Sequence, residues 1–453
     1  MAAEGNSGSW KIGLAIVGLA FAVRTFSLWL LADIPTVNDE NLHLTAAVKI
    51  AQGQALGDAA GKAPGVTLFY ALLAWLFAGS LQVLRLGNIV ASCLTVGLLY
   101  ASGHLLAGRR AGIAAGVGAA LYPTLVGFSH YLWAETLYVF FVVLSLWAIL
   151  EFRRSARWRE LVIAGLALGL GALTREVGLG LALLLAVFLW WHGGLRRGAA
   201  QAAVVVAVAG AVIAPWSLHL HGATGDLALV TRTTWLNLYV GNEDPKIQGL
   251  QVRPLMDQYY ELGETRSERE AEARQRTLRA IWGRMPWWPI EKLVELRDLF
   301  APTSIPARRL LAPAAPKSPQ IGFGRWRYEF EFDWLNSQSS RLAAAAIVSG
   351  VYALVAVLGV VGLMLIRDRT AALLLGAVVL AHVAPVLLAF GSTRFRVPIE
   401  PVLLLGAACL VTSVPEIWRE ASVGRRRAAF LAGLVMALII ESGRRFFLSP
   451  LLV

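Results

Sequence analysis

Two acids stand side by side at Asp39 and Glu40, in "TVNDENLHL" (36–44), directly after the first apolar run. A carboxylate at a membrane surface can accept the proton of an attacking hydroxyl, which makes the pair the candidate general base. The competing reading is a solvated loop, or a cap for a helix over "ENLHLTAAVKIAQG". Cations recur further on at Lys62, Arg85 and Arg175, and at Arg394 and Arg396 on either side of Phe395. Each alone is an ordinary interfacial anchor. Gathered on one face with few acids nearby, they supply what a phosphate group requires. Arg24 lies inside the first apolar run, where a charge must snorkel or pair. Fifteen residues before Asp39, it is placed to hold that acid or Glu40 and keep it ionised. Glu135, after "YLWA", has the chemistry to hold a metal or orient a sugar hydroxyl, while Glu176 is expected to pair with a neighbouring cation. His219 and His221 in "SLHLHG" have no carboxylate or cysteine at ligand spacing, and His43 is weaker still, so the metal question stays open.

The elements that must position these residues are membrane helices. With 57% hydrophobic and 15% charged residues the chain reads as an all-α polytopic membrane protein. No ten-residue alternating strands suggest a barrel. Apolar runs at 11–31, 86–107, 111–128, 136–150, 161–173, 177–191, 199–216, 341–366, 371–390, 397–414 and 428–448 give about eleven spans. The first is too long for a signal-peptide core and is expected to stay as an anchor. The basic loops at 108–110, 151–160, 192–198, 367–369 and 419–427 belong on the cytoplasmic side, which accounts for the net charge of +12 without nucleic acid. The opposite ends carry 128–136, 173–178, 391–398 and one long insertion, 217–340. The segment 63–80 is ambiguous: if it spanned, Asp39 would face away from the other polar motifs. A surface helix there keeps them together. The chain thus divides into an N-terminal core, 1–216, with an outer loop at 32–84, a small helical extracytoplasmic insertion at 217–340, and C-terminal helices at 341–453. Within the insertion, 267–285 and 286–300 read as helices, and the paired tryptophans of "PWWPIEKLVELRDLF" suit one lying on the outer leaflet. The Pro-rich stretch 301–319 is expected to be irregular. Cys93 and Cys409 sit in apolar runs as packing residues.

The acid pair, then "LHLTAAVKIAQGQ", then "KAPG" opening an apolar segment, resembles the first outer loop of GT-C membrane glycosyltransferases, in particular the protein O-mannosyltransferase and lipid A aminoarabinose transferase group. Further stretches agree in order: 76–94, "HYLWAETLYVFF" (130–141), "LALGLGALTREVGL" (166–179), "NLYVGNEDP" (237–245) and "TRFRVPIEPVLLLGAA" (393–408). The resemblance implies that Asp39 is catalytic, that Lys62 and Arg85 lie near a lipid phosphate, that Glu135 is the acid of the second loop, and that the donor is a polyprenyl-phosphate sugar. It also implies a surface helix at the KAPG segment. This chain departs at Ala63, where relatives often carry a second proline. It departs at Gly61, where some carry a metal-binding acid, so a divalent cofactor is not assigned. It departs again at Leu42 and His43, where the aminoarabinose enzymes have arginine and tyrosine.

The expected activity is transfer of a sugar from a polyprenyl-phosphate donor to a lipid, glycan or protein acceptor at the extracytoplasmic face. Asp39, with Glu40 beside it, would serve as base, and Arg24, Lys62, Arg85, Glu135, Arg175, Arg394 and Arg396 as substrate contacts. Two other readings compete: a flippase for lipid-linked sugars, and a polymerase or ligase using a diphosphate-linked oligosaccharide. No glycine-rich phosphate loop, CxxC pair or serine elbow is present, which argues against ATP-driven transport and conventional hydrolysis. Arginine predominates among the 41 basic residues, as in GC-rich bacterial genomes, so a bacterial inner membrane is expected.

Overall fold

The structure, a computed structural model, describes residues 9–31, 34, 36, 39–54, 62–77, 79–225, 227–244, 253–312 and 327–448. Gly61 and the stretches 245–252 and 313–326 therefore lie outside the described residues. The chain runs through α1 (Ser9–Leu30), α2 (Asp39–Ala51), α3 (Gly65–Leu76), α4 (Leu81–Leu121), α5 (Pro123–Phe128), α6 (Ala134–Ser155), α7 (Trp158–Thr174), α8 (Val177–Gly193) and α9 (Leu195–Thr224). The insertion adds α10 (Thr234–Asn242), α11 (Arg253–Glu261), α12 (Arg266–Gly283), α13 (Trp288–Glu291), α14 (Val294–Phe300) and α15 (Ile305–Leu311). After a 3-10 turn at Asp333–Asn336 come α16 (Gln338–Leu365), α17 (Arg369–Leu388), α18 (Glu400–Glu420) and α19 (Val423–Leu448). The one extended pairing among the described residues is a bridge between Leu31 and Phe330.

Helix covers every stretch expected to span. Among the described residues six helices, α1, α4, α6, α9, α16 and α17, are long and apolar enough to cross a membrane, against about eleven spans expected, and the chain is a multi-pass membrane protein. α4, at 41 residues, is twice the length a bilayer needs, and it breaks at Ala107 and Gly108, where Gly108 takes φ 82° without strain. The two limbs fold back closely: a side chain at Gly103 would lie 2.8 Å from the Ala111 carbonyl. The second limb stops at Tyr122 rather than running to 128, because Pro123 holds the residue before it extended (ψ 114°) and opens α5. α3, at 12 residues, is too short to span. Its exposed Leu68, Leu72, Trp75 and Leu76 fall at helical spacing on one face, as a surface helix against lipid requires.

The bundle sorts its loops by chemistry. At one end Arg153 pairs with Asp368 (2.9 Å), Arg367 with Glu420 (2.6 Å), and Arg425 donates to the Ile366 carbonyl (2.9 Å), which joins three of the basic loops. The other end gathers the loops that carry the candidate site. Exposed tryptophans mark both levels: Trp10, Trp158, Trp190 and Trp191 beside the basic loops, Trp29, Trp75 and Trp334 at the site end. Trp10 and Trp29 sit on one helix, about 28 Å apart at about 1.5 Å per residue, close to a hydrocarbon thickness.

Two expectations are corrected. The stretch 301–319 is not irregular throughout: Ser304 caps the Ala307 amide and Pro306 fits the first turn, so 305–311 is helical. The segment 286–300 forms two short helices, α13 and α14, rather than one.

Small residues set the closest helix crossing. A side chain at Gly362 of α16 would meet the Gly406 carbonyl of α18 at 1.9 Å. Gly362→Val should therefore lower stability by about 1–3 kcal/mol. Gly376→Val, which meets nothing within 4 Å, should leave the thermal midpoint in detergent unchanged.

Candidate functional site

At the site end, five separate segments bring their charges to one place. Asp39 opens α2 and Glu135 opens α6, positions where the helix N-terminus favours an acid. Lys62 precedes α3, Arg175 occupies the turn between α7 and α8, and Arg394 the turn between α17 and α18. Asp39 accepts from Lys62 Nζ through Oδ1 and from Arg394 Nη1 through Oδ2 at 2.6 Å. Arg394 spends its other two donors on Glu135, with Nε to Oε1 and Nη2 to Oε2 at 3.2 Å. Arg175 Nη1 donates to the same Glu135 Oε1. One guanidinium thus clamps two carboxylates, and its planar fork gives Glu135 two donors side by side. Its flat face rests on Trp133, 4.3 Å away, while Arg175 faces Phe395 (5.5 Å) and Tyr138 (5.9 Å).

Burial divides the acids by role. Glu135 is fully buried, with both oxygens taken by arginines. The Asp39 and Lys62 side chains are 23% and 39% exposed, open to a molecule arriving at this end. Burial raises the Asp39 pKa, but Arg394 and Lys62 outweigh it and hold the carboxyl far below the ordinary range; the same contacts hold Arg394 above its own. Glu40 is buried and accepts the Leu132 amide at 2.8 Å, joining α2 to the start of α6.

Several expected contacts are not made. Arg24 does not hold the acid pair: it is fully buried and donates to Ser92 Oγ (2.8 Å) and to the carbonyls of Ala20, Ala119 and Ala120, tying α1 to both limbs of α4. Arg396 is also fully buried, on Glu400 (2.7 Å) and against the Tyr352 ring (3.6 Å), two residues from Arg394 but turned into the core. Arg85 is buried and donates to the Ile34 carbonyl. Glu176 takes the Thr231 hydroxyl and the Asn237 amide (3.0 Å) rather than a cation. Backbone carbonyls and neutral groups meet Arg24, Arg85 and Glu176, and a carboxylate meets Arg396, which spacing along the chain does not disclose. Among the described residues no group of three metal-ligating side chains comes together. The aromatic seats of the arginines, Trp133, Tyr138 and Phe395, went unnoticed as site residues, though each lies within a residue or three of a charged one in the sequence.

Residues 61–219 match the family model of dolichyl-phosphate-mannose-protein mannosyltransferases. Among curated proteins none matches. The fold is similar to that of the archaeal oligosaccharyltransferase AglB from Archaeoglobus fulgidus. In its complex with an inhibitory peptide and a dolichol-phosphate, TM-score 0.53 and 13% identity extend over 96% of this chain and 56% of that one. In the apo form of the Archaeoglobus enzyme the values are 0.54 and 14% over 98% and 56%. ArnT from Cupriavidus metallidurans bound to undecaprenyl phosphate aligns at TM-score 0.43 and 16% identity over 90% and 80%. This chain spans little more than half the length of the archaeal enzyme. Family model and fold agree with the resemblance read from the sequence: the chain has the GT-C fold of membrane glycosyltransferases.

His43, one turn into α2, hydrogen-bonds Thr67 Oγ1 through Nδ1 at 2.8 Å. Burial first, and then Lys62, push its pKa down to about 4. Between that value and the ordinary one near 6.5 the unfolded chain binds a proton that the folded chain refuses, so stability must fall as pH drops through this window. His43→Gln, which does not titrate, should lose less thermal stability than the wild type between pH 6.5 and 4.

Proposed function

We propose that this chain is an integral membrane glycosyltransferase that moves a sugar from a polyprenyl-phosphate donor to an acceptor hydroxyl, with Asp39 as general base, at the extracytoplasmic face of a bacterial inner membrane. The observation that carries this reading is the half-exposed Asp39–Lys62–Arg394 contact beside the surface helix α3. It sets a carboxylate and two cations where a lipid headgroup lies. The basic loops gathered at the opposite end support the orientation.

The chemistry follows from these charges. Asp39 takes the proton from the acceptor hydroxyl as its oxygen bonds to the anomeric carbon, and the bond from that carbon to the phosphate oxygen breaks. The phosphodiester carries one negative charge, and the departing lipid phosphate gains another. Lys62 and Arg394 stand where that charge can be met, and Arg175 and Glu135 hold Arg394 in place. Three cations against two carboxylates leave the cluster with one positive charge, which balances one phosphodiester and not a diphosphate.

Asp39, clamped as it is, makes a weak base, because a carboxylate held so far below its usual range has little affinity for a proton. A phosphate that draws Lys62 and Arg394 toward itself weakens their hold, and the base gains strength only with donor aboard. Unproductive proton uptake without donor is thereby limited.

Asp39→Asn should cut turnover by roughly 10² to 10⁴. Lipid mass spectrometry of cells carrying only that variant should show a polyprenyl-phosphate monosaccharide accumulating, whose mass identifies the sugar. Unchanged lipid pools with full complementation would remove Asp39 as the base. Accumulation of a diphosphate-linked oligosaccharide would instead favour a polymerase or ligase.

A further inference from the structure

The insertion exposes an apolar ridge that none of the catalytic chemistry requires. α12 changes character along its length: Arg266 to Arg276 is almost wholly polar, after that Leu278 and Trp282 share one face, and exposed Met285 follows just past its end. Trp287, Ile290 and Leu293 continue at steps of three. Trp282 is 71% exposed, Trp287 65% and Ile290 59%, a degree of exposure that apolar side chains of this size rarely have in water as a contiguous group.

The position of this ridge is fixed by what lies beneath it. Buried Lys292 donates to the Gly241 carbonyl (2.9 Å), to Glu295 (3.0 Å) and to the Ala389 carbonyl just past the end of α17. Glu295 accepts the Gly391 amide at 2.6 Å, and Asn242, itself bound by the Trp288 indole, donates to the Leu388 carbonyl at 2.8 Å. On the other side, a side chain at Gly443 of α19 would meet Ala301 at 2.8 Å, so α14 ends against that helix. Residues 288–301 are therefore seated on the last turn of α17 and against α19. That is the level at which a membrane-crossing helix leaves the hydrocarbon.

We propose that residues 278–293 are embedded in the lipid headgroup layer at the site end, with Trp282, Trp287, Ile290 and Leu293 dipping into the acyl boundary. Indole rings suit this boundary, having an apolar body and one polar N–H, and exposed Arg279 stands beside the ridge, while Arg284 turns back onto the Asn242 carbonyl (2.6 Å) and Glu291. The polar first half of α12 stays in water. Through Lys292 and Glu295 the lipid contact fixes the depth of the turn that bears Arg394.

The inference rests on the bundle spanning a bilayer, and the test separates the two. The native cysteines are buried, so a single environment-sensitive fluorophore can be placed at Ile290→Cys, at Trp287→Cys or, as reference, at Leu380→Cys on the exposed face of α17, in phosphatidylcholine–phosphatidylglycerol nanodiscs. Labels at 287 and 290 should lose more fluorescence to nitroxides near the headgroup than to nitroxides deep in the acyl chains, and little to aqueous iodide. The label at 380 should respond most to the deep nitroxides. Quenching of 287 and 290 by iodide alone, with 380 still quenched by lipid, would overturn the interfacial placement. Protection of 287 and 290 from every quencher would overturn it too, in favour of a protein partner or a second copy. Failure of deep nitroxides to reach 380 would overturn the spanning bundle itself.

Discussion

The guanidinium of Arg394 is the interaction on which the site depends. It holds Asp39 and Glu135, which lie 355 and 259 residues away along the chain, in a single plane of hydrogen bonds over the Trp133 ring. The three nitrogens of a guanidinium point in fixed directions, which suits it to hold two carboxylates at once. Removing it would leave Glu135 with Arg175 alone and Asp39 with Lys62 alone. A fully buried carboxylate deprived of half its partners is among the more costly defects a fold can carry.

The turn between α17 and α18 is built to present that one residue. Gly391 is held by Glu295, Thr393 by Arg308 (2.6 Å), and Arg396 by Glu400, so successive anchors fix the backbone on either side of Arg394. The insertion is therefore part of the site's support: α14 and α15 supply two of these anchors. The Asp39 side is held differently. Glu40 and His43, the neighbours of Asp39 on α2, reach Leu132 and Thr67, which ties α2 to α6 and to α3. Rigid support around a partly exposed acid is the arrangement an active centre needs, because the geometry is then set before substrate arrives.

Much of this was legible in the sequence, for a physical reason. Bilayer thickness and the sorting of basic loops leave few choices, so the helical, multi-pass character of the chain and the meeting of Asp39, Lys62, Glu135, Arg175 and Arg394 at one end could be read from hydropathy and charge. Pairing could not. Whether an arginine near a helix end faces outward or inward depends on which carbonyls and acids the fold brings to it. Arg24 and Arg396 look like Arg394 in sequence, yet they are buried among the helices. Helix breaks were missed where one residue decides, as at Pro123, where proline sets the conformation of Tyr122. Aromatic residues such as Trp133 read as membrane packing until an arginine is found lying on them.

The most direct measurement is the affinity of purified protein in nanodiscs for a polyprenyl phosphate, compared among wild type, Asp39→Asn, Lys62→Met and Arg394→Gln. If the cations await a phosphate and Asp39 competes for them, Asp39→Asn should bind more tightly than wild type, and the two cation variants more weakly. Equal affinity in all four, or weaker binding by Asp39→Asn, would mean that this ion cluster only holds the fold together and that the phosphate is bound elsewhere.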